Sequence, residues 1–126
     1  MFPSFAVSNS DKLLDEYTMP AGYSEIAQNI AYALIEKNKG VLIDVRSPEE
    51  FAEGHIEGAI NIPVETIKDG HILKEAPDLN KPLLLYCRTG RRATIAGQYL
   101  VNAGYKYEVN LGRVSTWQYG LIQDNN

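Results

Sequence analysis

Cys87 is the only cysteine of this 126-residue chain, and it begins the segment Cys-Arg-Thr-Gly-Arg-Arg at 87–92. The apolar run Leu-Leu-Leu-Tyr at 83–86 precedes it and a helical pattern of apolar residues follows, so we predict Cys87 at a strand-to-helix junction. Backbone N–H groups converge at the start of a helix, where the helix dipole also favours negative charge. The same field favours the thiolate, which is the nucleophilic form of a cysteine. The position therefore suits a reactive thiol beside a bound anion.

Three of the five arginines in the chain, Arg88, Arg91 and Arg92, lie within five residues of Cys87. Cationic side chains near a helix N-terminus interact unfavourably with the helix dipole, so they are poor candidates for stabilising the helix. Considered singly, a lone cysteine is most often a buried apolar residue, and an arginine cluster is usually solvated. Their combination after a buried strand instead predicts an anion-binding site that contains a thiol.

The composition is that of one globular domain, with 44% hydrophobic and 22% charged residues and no apolar stretch long enough to span a bilayer. The net charge of −4 argues against nucleic acid and anionic membrane as partners. A single cysteine excludes an internal disulfide and a zinc site made of several thiolates, and we expect neither a metal nor an organic cofactor. The N-terminal residues lack a signal pattern, so we expect a cytoplasmic monomer, although a processed periplasmic chain would look the same.

Strand and helix patterns alternate along the chain, and the nearly continuous apolar runs are typical of strands buried on both faces of a parallel sheet. Strands are predicted at 17–19, 41–45, 59–62, 83–86 and 107–111. Helices are predicted at 12–16, at 24–40 with Ser24 as N-cap, at 47–54, at 65–68, and from the cysteine segment to Gly104. We predict an N-terminal extension at 1–20 and one α/β domain at 21–126, with a central, mostly parallel sheet of about five strands and helices on both faces.

Four short motifs precede the cysteine segment. They are Asp-Val-Arg at 44–46, Glu-Glu-Phe at 49–51, Gly-His-Ile at 54–56 and Gly-Ala-Ile-Asn-Ile-Pro at 58–63. Together with Cys87, Gly90 and Arg92 they resemble the rhodanese domain in its single-domain form, from about Tyr23 to Gly120. Each motif alone is a weak signal, whereas their order and spacing are specific. The resemblance implies a rhodanese-like fold and sulfurtransferase activity.

In the family that this chain resembles, the cysteine takes a sulfane sulfur from a donor such as thiosulfate and becomes a persulfide. An acceptor, which is cyanide, a thiol or a protein, then removes that sulfur. The resemblance implies that Cys87 is the nucleophile and carrier, held by the backbone N–H groups of the next five residues. The expected substrate-binding residues are Arg88, Thr89, Gly90, Arg91 and Arg92.

Within this segment the expected roles differ from residue to residue. Gly90 allows the tight curl that brings the N–H groups together. Arg88 and Arg91 suit recognition of a small anionic sulfur donor such as the thiosulfate dianion. Arg92 stands where the helix begins, so an alternative role for its side chain is to turn inward and brace the loop.

The closing segment departs from the family pattern, which commonly has two glycines followed by a tryptophan. This chain has Leu111-Gly112-Arg113 and then Trp117. Arg113 in place of the second glycine either adds a positive charge at the mouth of the site or narrows it. Trp117 is expected in the core.

Other polar residues have structural explanations. His55 is expected to be satisfied by backbone hydrogen bonds, and Asp44 and Arg46 to form a buried polar pair that orders the strand ends. The glutamates at 49, 50, 53 and 57 are expected on a solvated helical face.

Two other functions stay open from the sequence. The first is a persulfide carrier or binding module in a protein sulfur relay, which needs the same loop. The second is a phosphatase or arsenate reductase of the related cysteine-loop type. Those loops have five residues between the cysteine and the arginine, whereas this chain has four between Cys87 and Arg92.

Overall fold

The structure is a computed structural model that describes residues 9–123. Residues 1–8 and 124–126, which include the first part of the predicted N-terminal extension, lie outside the described residues. The strands are β1 (Gly22–Glu25), β2 (Val41–Asp44), β3 (Ile60–Asn61), β4 (Leu83–Cys87) and β5 (Tyr107–Arg113). The α-helices are α1 (Asn9–Glu16), α2 (Gln28–Glu36), α3 (Pro48–Glu53) and α4 (Arg91–Ala103), and single 3₁₀ turns lie at Val64–Thr66 and Val114–Thr116.

The five strands form one sheet in the order β1-β5-β4-β2-β3, and all four pairings are parallel. The central strand β4 is buried along its whole length, because side chains pack on both of its faces. Leu83 and Leu85 belong to a core cluster with α4, while Leu84 and Tyr86 belong to a second cluster with α2. The predicted α/β fold, with a parallel sheet and helices on both faces, is therefore confirmed.

The segment before α2 differs from the prediction. Ser24 lies inside β1, whose residues pair with β5, and α2 begins at Gln28 after Ala27. The expectation of Ser24 as a helix N-cap is therefore wrong. The predicted strand at 17–19 is also wrong, since these residues lie in the connection from α1 to β1. Tyr17 and Met19 pack there against the second core cluster, which we call the α2-side core.

The end of β2 is held by the predicted buried pair of Asp44 and Arg46. The arginine donates to both carboxylate oxygens, from Nε at 3.0 and 3.1 Å and from Nη2 at 2.7 Å. Its Nη2 also donates to the carbonyl of Gly54 at 2.7 Å. The pair thus connects the end of β2 to the end of α3, and its two side chains are almost completely buried.

The structural roles expected for the histidine and the tryptophan are also confirmed. His55 is buried, with Nδ1 2.9 Å from the carbonyl oxygen of Phe51, and its ring stacks on the Phe51 ring. Trp117 is 9% exposed and lies against Tyr32 and Tyr119 in the α2-side core. Among residues 9–123, no helix has the length and apolar character needed to cross a membrane.

Glu108 on β5 is a fully buried carboxyl, and neither of its oxygens has a hydrogen-bond partner among the described residues. Burial raises its pKa from 4.5 to about 7, because the charged form is poorly solvated there. Between these two pH values the unfolded chain loses the Glu108 proton and the folded chain keeps it. The free energy of unfolding is therefore expected to fall as the pH rises from about 4.5 to about 7.

The matched variant is Glu108→Gln, which keeps the shape of the side chain and cannot ionise. We expect it to lose part of this pH dependence and to be more stable than the wild type at pH 8. Urea unfolding of both proteins at pH 5 and pH 8 measures the difference. An identical pH dependence of the unfolding free energy in the two proteins would show that Glu108 is not its source.

Candidate active site

Cys87 is the last residue of β4, and α4 begins four residues later at Arg91. In the cysteine loop (residues 87–92), the Cys87 Sγ accepts hydrogen bonds from the backbone N–H of Gly90 at 2.9 Å and of Ala93 at 3.4 Å. Gly90 is the N-cap of the 13-residue helix α4 and has a φ of 93°, a conformation that residues with a side chain rarely adopt. The sulfur thus lies at a helix N-terminus, where negative charge on it is stabilised.

The thiol is enclosed as well as hydrogen bonded. Cys87 has no exposed surface, whereas Arg88, Thr89 and Arg91 of the same loop are exposed. A donor molecule therefore reaches the sulfur only when part of the loop moves. Of the two N–H groups on the sulfur, Gly90 belongs to the predicted set, and Ala93 lies one residue beyond it.

The Arg92 side chain forms an ion pair with Glu50 of α3. Its two terminal nitrogens donate to the two carboxylate oxygens of Glu50 at 2.8 and 3.0 Å, in a bidentate pair between the cysteine loop and α3. This geometry matches the bracing role that the sequence suggested as an alternative. Glu50 itself was expected to be solvated, and that prediction is wrong.

Glu50 is partly buried because its carboxylate accepts hydrogen bonds from two sides, from Arg92 and from the backbone of Ser47. Its Oε1 accepts from the backbone N–H of Ser47 at 3.0 Å, while the Ser47 hydroxyl accepts from the Glu50 N–H at 3.2 Å, which completes a capping box. The Arg92 guanidinium, together with the Ser47 hydrogen bonds, lowers the Glu50 pKa from 4.5 to about 2. In the folded protein the Glu50 carboxylate is therefore ionised, and its ion pair with Arg92 is intact, at pH values well above about 2. The other three glutamates of this region are exposed as predicted.

If Arg92 acts only through Glu50, then Arg92→Gln and Glu50→Gln should lower the turnover of the sulfur transfer that the sequence predicts to a similar extent, about tenfold or less. The double variant should be no worse than either single variant, because both substitutions break the same contact. Steady-state thiocyanate formation by the four proteins measures this cycle. Additive losses would instead indicate that Arg92 has a separate role on the substrate.

A hydrogen-bonded network lies on the other side of Gly90. The Gly90 carbonyl accepts from Asn110 Nδ2 at 3.1 Å, from the Thr94 hydroxyl at 3.0 Å and from the Thr94 backbone N–H at 3.1 Å. Asn110 Nδ2 also lies 2.9 Å from the Tyr23 hydroxyl, and its Oδ1 accepts from the N–H of Gly112 at 2.8 Å. The network connects the cysteine loop to β1 and β5 and holds Gly90 in the conformation that directs its N–H at the sulfur. No sequence signal pointed to Asn110, since its role depends on strand pairing.

We expect Asn110→Ala to slow about tenfold the sulfur transfer that the sequence predicts. The Gly90 carbonyl then loses one of its three hydrogen bonds, the one that connects it to β5, and the loop becomes less ordered. Tyr23→Phe is the matched control, since it removes a hydroxyl of the same network that does not contact Gly90. Its effect should be clearly smaller. Equal losses in the two variants would show that Asn110 acts through general packing.

A cleft of about 420 Å³ lies beside the cysteine loop, at the carboxyl ends of β1 and β5. Its lining includes Glu25, Thr89, Arg91, Asn110, Gly112 and Arg113. Within the described part of the chain, no group of three or more histidine, cysteine, aspartate or glutamate side chains is arranged to hold a metal ion. The polar side chains that line the cleft are those of arginine, glutamate, threonine and asparagine.

Comparison with known sequences places these features in a wider context. A family model described as a rhodanese-like domain matches residues 27–117. The chain is 40% identical over 70 residues to the thiosulfate sulfurtransferase PspE of Escherichia coli K12, in an alignment that covers 56% of this chain and 66% of that protein. It is 31% identical over 97 residues to the thiosulfate sulfurtransferase GlpE of Coxiella burnetii, covering 76% of this chain and 88% of that one. The chain thus spans just under two thirds of the E. coli relative.

Solved structures have the same fold. A rhodanese with anions from E. coli superimposes with a TM-score of 0.61 at 33% identity, covering 68% of this chain and 99% of that one. The human single-domain sulfurtransferase TSTD1 superimposes with a TM-score of 0.67 at 28% identity, covering 74% of this chain and 93% of that one. The sheet that positions Cys87 is therefore one that these proteins share.

Proposed function

This chain belongs to the rhodanese-like domain family, and from that membership we propose that it transfers sulfane sulfur through a persulfide on Cys87. The observation that carries the proposal is the position of the Cys87 sulfur. It lies at the N-terminus of α4 and accepts two backbone N–H groups. Such a site stabilises a thiolate before reaction and a charged sulfur after it.

In the first half-reaction the Cys87 thiolate attacks the outer sulfur of thiosulfate or a related donor. A new S–S bond forms to Cys87, the S–S bond of the donor breaks, and sulfite leaves with the electron pair. The exposed side chains of Arg88 and Arg91 suit attraction of the dianion to the loop. The N–H groups around the sulfur then hold the negative charge of the persulfide.

In the second half-reaction an acceptor nucleophile attacks the outer sulfur of the persulfide. The bond to Cys87 breaks, and its electron pair returns to the cysteine as thiolate. With cyanide the product is thiocyanate. Because the chain has a single cysteine, the sulfur leaves on another molecule and not on a second thiol of the same chain. The acceptor is accordingly a cyanide ion, a small thiol or a protein.

The role of persulfide carrier in a protein relay uses the same two steps and differs only in its partners. The enclosed sulfur supports this role in one respect, since a partner protein that binds the loop would hold it open during transfer. The phosphatase alternative is less consistent with the geometry. Its arginine would have to face the substrate, whereas the Arg92 guanidinium is engaged by Glu50.

The proposal is tested by the intact mass of the reduced protein after treatment with thiosulfate. We expect a gain of one sulfur that cyanide removes with release of thiocyanate. The cyanide step is necessary because a sulfinic acid adds nearly the same mass and is not reversed by cyanide. Protein alkylated at Cys87 before treatment serves as the control. No gain on a thiol shown to be reduced and reactive would exclude thiosulfate as the donor.

A further inference from the structure

A β-bulge brings Arg113 to the same face of the sheet as the reactive cysteine. The register between β4 and β5 shifts between Leu85 and Tyr86, so that Tyr86 pairs with Gly112 and Cys87 with Arg113. Side chains alternate between the two faces of a strand, and paired residues of parallel strands lie on the same face. Without the additional residue in β5, Arg113 would be directed to the opposite face.

Arg113 and Arg91 line the cleft beside the cysteine loop, and both are exposed. Neither guanidinium forms an ion pair with another residue in the described range 9–123. Glu25 also lines the cleft, where its carboxylate lies 3.3 Å from the Tyr23 hydroxyl and pairs with neither arginine. In a chain with a net charge of −4, two arginines without acidic partners in one cleft indicate an anionic ligand.

The cleft and the sulfur lie on different sides of Gly90. The N–H of Gly90 donates to the Cys87 sulfur, whereas its carbonyl accepts from Asn110, which lines the cleft. Thiosulfate is a compact ion, whereas the cleft extends from the cysteine loop to the ends of β1 and β5. The cleft volume of about 420 Å³ instead falls within the range of small-molecule sites. The arrangement therefore suits a longer ligand, with a sulfur at one end and an acidic group several bonds away.

We infer that the cleft binds the carboxylate of a thiol acceptor between Arg91 and Arg113, while its sulfur discharges the persulfide of Cys87. The inference rests on the proposed function and names the class of acceptor. The acceptor thiolate attacks the outer sulfur, a new S–S bond forms, and the bond to Cys87 breaks with its electron pair. The products are the Cys87 thiolate and the persulfide of the acceptor.

The experiment isolates the discharge step. Protein loaded with sulfur is freed of thiosulfate and mixed with one of three thiols. These are 3-mercaptopropionate, 2-mercaptoethanol and cysteamine, which have the same two-methylene spacer between the sulfur and the polar group. Loss of the persulfide is followed by mass. Compared at equal thiolate concentration, the anionic thiol should react fastest and the cationic thiol slowest. Arg113→Gln should lower the rate ratio of 3-mercaptopropionate to 2-mercaptoethanol about tenfold, and Arg113→Lys should restore part of it.

Lys106→Gln is the matched control, because it removes one positive charge from the residue just before β5, at the end of that strand remote from the cleft. The ratio should not change in this variant. Equal rates for the three thiols in the wild type, or an equal loss in the Lys106 control, would overturn the inference. So would an Arg113 variant that loads from thiosulfate more slowly by the same factor as it discharges, since Arg113 would then serve the donor. A wild-type protein that never loads would contradict the proposed function instead.

Discussion

Cys87→Ser is expected to abolish sulfur transfer while leaving the fold nearly as stable as in the wild type. The serine hydroxyl can accept the same two N–H groups, so the loop keeps its hydrogen bonds. It is not a thiolate at any assay pH and cannot carry a sulfane sulfur, so the loss should exceed that of any other single substitution. Thiocyanate formation from thiosulfate and cyanide measures it, with the limit set by the reaction without enzyme.

Two further measurements show whether the loss of activity comes from the missing thiol or from a change in the fold. Urea unfolding should give a free energy close to that of the wild type, and thiosulfate should add no mass to the variant. A variant that retained transfer well above the reaction without enzyme would rule out Cys87 as the carrier. A variant that failed to fold would show instead that the thiol has a packing role that serine cannot replace.

The second large effect concerns stability. Arg46→Met should lower the free energy of unfolding by about 3–5 kcal/mol, because it leaves the Asp44 carboxylate charged and without its counter-ion in the protein interior. Asp44 is fully buried and Arg46 is 5% exposed, so water does not replace the lost contacts. The carbonyl of Gly54 also loses the hydrogen bond that Arg46 donates. Chemical denaturation at neutral pH measures the change.

The double variant Asp44→Asn/Arg46→Met is the control for this interpretation. An asparagine side chain still accepts from the backbone N–H of Arg46, which the Asp44 carboxylate now does at 2.9 Å, and it carries no charge. The double variant should therefore be more stable than Arg46→Met alone. If the two variants were equally unstable, the loss would stem from the Gly54 contact or from packing.

The parts of the fold that could be predicted from the sequence are those with local causes. The fully buried strand β4 reads as an uninterrupted apolar run, and α3 begins at a Ser-Pro-Glu-Glu cap. By contrast β1 has the sequence Gly-Tyr-Ser-Glu, without a strand pattern. It is a strand only because β5 supplies pairing partners from the other end of the chain. Such pairing has no local signal, which is why Ser24 resembled a helix cap.

The candidate site likewise has residues that the local sequence predicts and residues that only the tertiary structure reveals. The loop sequence is sufficient to place Cys87 and Gly90 at a helix start, because a strand, a glycine and a helix follow one another directly. Asn110 and the Glu50 partner of Arg92 come from distant segments, so their contribution depends on the sheet order and on the position of α3. The effect of Arg113 depends on one additional residue in β5, and a bulge of this kind cannot be inferred from a single sequence.

The position of β5 has a consequence for the biosynthesis of the protein. It is the last strand of the described chain, yet it lies between β1 and β4, and Gly22 pairs with Tyr107. During translation the sheet therefore remains incomplete until nearly the whole domain has left the ribosome, and such distant pairings form slowly. The Asn110 hydrogen bond to the cysteine loop is absent until then. The hydrogen bonds on the Cys87 sulfur come from the neighbouring residues Gly90 and Ala93, but the contact that holds Gly90 against the sheet is complete only after β5 has been inserted.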